Sequence, residues 1–65
     1  MNKYKFSLIR EHPVGFGMSR EKIMECMATD FKNALTLLEP YSPVMLNKNG
    51  IGTYEDEKYT IQKSN

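Results

Sequence analysis

The chain has 65 residues, 40% of them hydrophobic, with nine Lys plus Arg against eight Asp plus Glu and a formal net charge of +1. That length leaves room for one small domain spanning residues 1–65, and the balanced charge excludes a strongly basic nucleic-acid tail and an acidic mimic of DNA. No apolar run is long enough for a membrane span or a signal-peptide core, and a single Cys excludes an internal disulfide.

A domain of this size hides only about 60% of the surface its unfolded chain exposes. Apolar burial then barely exceeds the entropy lost on ordering the chain. No disulfide or metal cluster adds to it. A symmetric homodimer, joined through an open sheet face or an edge strand, is expected on that ground.

Lys3–Arg10 opens with alternation of period two: Tyr4, Phe6 and Leu8 point one way, Lys3, Lys5 and Ser7 the other. Ile9 puts an apolar side chain on the polar face. His12–Met18 reads as a connection, because Pro13 lacks an amide and Gly15 and Gly17 loosen the backbone around Phe16. Ser19 stands at a helix N-cap position. From Arg20 to Leu38 the apolar residues Ile23, Met24, Met27, Phe31, Ala34, Leu35 and Leu38 recur at helical spacing, with Lys22, Glu25, Thr29, Lys32 and Thr36 opposite. That stripe predicts one long amphipathic helix over about residues 20–38, ended by Pro40, with Phe31 at its middle and buried against Tyr4, Phe6 or Ile61.

Beyond Pro43, Val44–Asn47 and Ile51–Tyr54 read as two short strands joined around Asn49-Gly50. Glu55-Asp56-Glu57 is a polar turn, and Lys58–Lys63 alternates Tyr59 and Ile61 against Thr60 and Gln62. The last two residues are expected to fray. The predicted fold is a small α+β domain of order β-α-β-β. Its three- or four-stranded, mostly antiparallel sheet carries the helix on one face.

Catalytic constellations are thin. His12 and Cys26 could form a nucleophilic dyad only if the fold brought a loop imidazole to mid-helix, and no third group is placed to orient it. One Cys and one His fall short of a zinc ligand set, and Glu55-Asp56-Glu57 lacks the spaced oxygens of a calcium loop. Glu21 and Glu25 face away from the apolar stripe, so nothing desolvates them. The expectation is therefore no enzyme, no cofactor and no metal.

The Pro13–Ser19 string is the most unusual stretch: it reads first as a mobile connection in which Phe16 plugs the sheet edge, and a Gly-X-Gly loop before a helix could instead expose Phe16 to a partner or hold an anion. Single-strand nucleic-acid binders interleave aromatics with basic residues on an open sheet. Here Tyr4 and Phe6 lie on the face opposite Lys3 and Lys5, which leaves a basic patch without a stacking platform. The helix's mixed-charge polar face speaks against a membrane surface.

The function expected is that of a non-enzymatic binding protein, regulating or inhibiting a larger intracellular protein by direct contact. Its contact residues are expected among Ile9, Phe16, Met45 and Tyr54, with Lys3, Lys5 and Lys58 at the rim. The alternative is a nucleic-acid-binding protein using Lys3, Lys5 and Lys58 on a basic sheet face. A lone Cys without an export signal suggests the cytoplasm, and a starting Met with many Asn and Lys fits a small gene product of a microbe or a virus-infected cell.

Overall fold

The computed structural model describes residues 2–64. In chain order the elements are β1 (Tyr4–Val14), β2 (Gly17–Ala28), α1 (Phe31–Leu38), a 3-10 turn at Glu39–Tyr41, β3 (Ile51–Tyr54) and β4 (Glu57–Ser64). The strands form one antiparallel sheet in the order β2-β1-β4-β3. The α+β class and the single sheet with one helix match the sequence reading. The order is β-β-α-β-β, not β-α-β-β.

The difference lies in residues 17–28, which form a strand instead of the first half of a helix. Glu, Lys and Met favour helix locally, but local propensity is weak beside eleven cross-strand pairs with β1. Within Met24–Ala28 the inward residues are Met24, Cys26 and Ala28, a strand's alternation that a helical stripe through Met24 and Met27 obscures. The turn that makes this pairing possible is Gly15-Phe16. Gly15 takes a φ of +56° and Phe16 does not share it, the pattern of a two-residue type II′ hairpin loop.

Helix α1 starts at Phe31. Its cap is Asp30, whose Oδ1 accepts from the Asn33 amide at 2.8 Å, while Asn33 Oδ1 accepts from the Thr29 amide. Ser19, the expected cap, sits in β2. Phe31 is therefore at the helix start and only half-buried, yet it meets Phe6 edge-to-face at 6.3 Å as its apolar character required.

Phe6, Leu8, Ala28, Ala34, Leu38, Leu46, Tyr59 and Ile61 make the core, on the helix side of the sheet. The alternation read in β1 and β4 holds: Leu8 lies opposite Ile61, and Phe6 opposite Cys26. Residues 44–47 form no strand. They cross the helix-side face of β3 at Gly52, burying Leu46 where the short helix does not reach. Asn47 then closes a turn, its amide donating to the Ile51 carbonyl and its Oδ1 accepting from the amides of Asn49 and Ile51. Ser64 ends β4, and the fraying expected at residue 65 lies outside the described residues.

Gly52 is what allows that crossing. A Cβ there would collide with the Met45 carbonyl oxygen and lie 2.9 Å from Val44 Cγ2. Gly52→Ala should lower unfolding free energy by about 3 kcal/mol, the upper end for overpacking. Gly17→Ala, with only the Val14 carbonyl at 4.0 Å, should stay within about 0.5 kcal/mol in the same urea titration.

Candidate interaction surface

The pairing of β1 with β4 stops at Glu11 opposite Lys58, whereas β1 and β2 stay paired out to Val14 opposite Gly17. Residues 12–19 therefore project as a two-stranded arm beyond the sheet. The molecule is correspondingly long, 44 × 22 × 16 Å. Phe16 at the tip is fully exposed, with Val14 and Met18 exposed behind it. Large apolar side chains gathered on a protruding turn gain nothing from the fold itself.

The arm's base is polar and firmly tied. Arg10 donates from Nη1 to Glu21 at 2.7 Å and from Nε to Glu57 at 3.1 Å, and Nη2 forms a further pair with Glu57. Tyr59 donates its hydroxyl to Glu57 at 3.1 Å. On the opposite face Arg20 lies 3.6 Å from Glu11 and donates to Gln62 at 2.8 Å. Arg10's hydrogen bond holds the Glu57 carboxyl below the usual carboxylate range, and burial pushes the Tyr59 hydroxyl up. Lys22 similarly lowers Glu25.

The expected contact residues do not form one patch. Phe16 and Tyr54 occupy the same end of the molecule, where Tyr54, His12, Pro13 and the Glu55–Glu57 turn line a shallow cavity of ≈ 320 Å³. Ile9 is half-buried at mid-strand, and Met45 is exposed on the loop before β3. Lys3 and Lys5 lie at the far end beside Lys63, Tyr4 and Met27, around a cavity of ≈ 540 Å³. Lys58 stands opposite Glu11, and Lys5 opposite Ser64. Lys58 is thus six positions along β4 from the residue opposite Lys5, about 20 Å of strand.

Tyr4, the aromatic nearest the lysine cluster, has Lys63 Nζ 4.0 Å from its ring centroid, and Phe6 is buried. Sequence reasoning missed Val14 and Met18 as neighbours of Phe16. The signal was available in Val14-Gly15-Phe16-Gly17, where a glycine at the first loop position suits a two-residue hairpin.

Cys26 lies in β2 opposite Phe6, half-buried, and burial pushes its thiol pKa up. Glu21 and Glu25, four apart, fall on opposite faces, because the bulge at Ile23 reverses the alternation between them. Among the described residues no three His, Cys, Asp or Glu side chains are grouped to hold a metal, and no helix is long and apolar enough to cross a membrane. Comparison with family profiles, with curated proteins and with solved structures returned no match for the chain.

The Arg10–Glu57 pairing gives stability a defined pH dependence. The folded Glu57 carboxyl titrates below its ordinary value of 4.5, so the folded form binds fewer protons than the unfolded chain in that range. Its contribution is complete above pH 4.5 and is lost as pH falls through the folded value. Urea midpoints measured from about pH 7 down to about pH 3 should fall for the parent, and Glu57→Gln should flatten that decline.

Proposed function

We propose that the protein is a non-enzymatic binding protein that regulates a larger protein by direct contact, with the Gly15-Phe16 arm as its anchor. The observation that carries this reading is the full exposure of Phe16 on a turn whose backbone is fixed by strand pairing. An aromatic presented on a rigid arm loses little entropy on docking and can fill an apolar pocket, the usual centre of a protein interface. Val14 on the helix side of the arm and Met18 on its open side flank it with further exposed apolar surface, and the thioether of Met18 adapts to an uneven pocket wall.

The exposed carboxylates of Glu55 and Asp56 next to the arm's base favour a protein pocket over phosphate or anionic lipid. Binding of nucleic acid through a basic sheet face has less support, since Lys58 is remote from Lys3 and Lys5, and Tyr4, the ring beside them, is already covered by Lys63. An intracellular setting fits this reading, with Cys26 kept as a reduced thiol.

A photo-crosslinking phenylalanine analogue introduced at position 16 in the source cell should trap one larger protein, and the same analogue at Thr36 should not. Phe16→Ala should weaken the recovered complex by about 100-fold, as expected for a central aromatic anchor, without shifting the thermal midpoint. Equal crosslinking from both positions, or an unchanged affinity, contradicts the assignment.

A further inference from the structure

The outer edge of β2 is a 12-residue length of strand paired on one side only among the described residues. Three exposed large apolar side chains, Met18, Ile23 and Met27, sit on it. Near its midpoint is a bulge: Leu8 faces Met24 and Ile9 faces Lys22, so Ile23 is the extra residue. The bulge changes which residues share a face. Ala28, Cys26 and Met24 lie on the helix side together with Glu21, Ser19 and Gly17, while Met27 and Glu25 lie on the open side with Arg20 and Met18.

We propose that β2 pairs antiparallel with β2 of a second copy about a two-fold axis between Lys22 and Ile23, joining two sheets into one. This full-length register sets Met18 against Met27 of the second copy and Arg20 against Glu25, each contact occurring twice by symmetry. Both members of each pair lie on the open face, and Ser19 meets Cys26 on the helix face. Without the bulge, residues an odd number apart would lie on opposite faces, and this register would set each buried face beside an open one. A slip of one residue has the same defect.

Charges on β2 suit self-pairing: Arg20, Glu21, Lys22 and Glu25 sum to zero, and no like charges stand directly opposite. Bulges and lysines ordinarily keep edge strands apart. Here the bulge falls on the symmetry axis, and Lys22 is held by Glu25 at 2.7 Å within its own chain. The dimer covers the apolar edge that the small core leaves bare, and it carries its two Phe16 arms at opposite ends. It uses the strand edge and not the arm tip; Met18 is the one residue it shares with the partner surface, and the charge variants at Arg20 and Glu25, which that surface does not use, test the dimer separately.

Sedimentation of the purified protein at about 100 µM should give a species of twice 7.6 kDa that dissociates on dilution. Arg20→Glu and Glu25→Arg each place like charges at both contacts, and each should weaken dimerisation by about tenfold or more. Mixed in equal amounts, the two variants again oppose unlike charges at both contacts and should recover a dimer of parental affinity. That recovery separates an interface effect from a folding defect. A cooperatively folded 7.6 kDa parent at that concentration, variants that dimerise as the parent does, or a mixture that stays monomeric would each overturn the proposal.

Discussion

The helix is too short for the sheet it covers. Eight residues of α1 span about 12 Å, whereas the eleven residues of β1 run about 37 Å. Ala34 and Leu38, the buried residues of α1, join Phe6, Leu8 and Ile61 in the core. Leu46, brought in across Gly52, lengthens the cover toward β3. Beyond Leu8 on this face there is no helix to bury a side chain, and the sequence changes character there from Phe and Leu to Arg10 and His12.

What replaces apolar cover is a set of charge-assisted hydrogen bonds. Arg10 is the one guanidinium shared by Glu21 on one neighbouring strand and Glu57 on the other, so it ties three strands across the helix-side face. Such pairs are solvated and individually contribute little to stability, but they orient the strands where packing cannot. Past them only β1 and β2 continue, and the chain projects an arm whose tip is apolar. The order along β1 is thus apolar core, ionic tie, exposed apolar tip. A projecting hairpin with an exposed aromatic at its end follows from where the helix stops.

Much of this was legible in the chain. The alternation of Tyr4, Phe6 and Leu8 against Lys5 and Ser7 marked the central strand and its inner face, and Tyr59 and Ile61 did the same for β4. The 17–28 segment was not legible as a strand. Its Ile23, Met24 and Met27 satisfy a helical spacing, although Met24 and Met27 lie on opposite faces of the strand, and the bulge at Ile23 breaks the period of two in the middle of the segment. Asp30, three residues before Asn33, carried the true helix start, but it was hidden inside a stripe that seemed to run through it. For the site, Phe16 was identifiable as unusual. Its role as a hairpin tip required knowing that Gly15-Phe16 joins two strands, which only the pairing of β1 with β2 reveals. Lys3, Lys5 and Lys58 could be placed on one face by parity, but not at one end, since parity says nothing of distance along a strand.

The division of β1 into a covered half and a projecting half is most directly tested by amide hydrogen exchange, read residue by residue in dilute protein. The amides of Phe6 and Leu8 in the sheet, and that of Ile61, which donates to the Gly50 carbonyl at 3.0 Å, should exchange only through global unfolding. Those of His12 and Val14 should exchange through local opening of the arm, about 100-fold faster or more. Equal protection along the whole of β1 would contradict the account, because it would require the arm to be packed as firmly as the core.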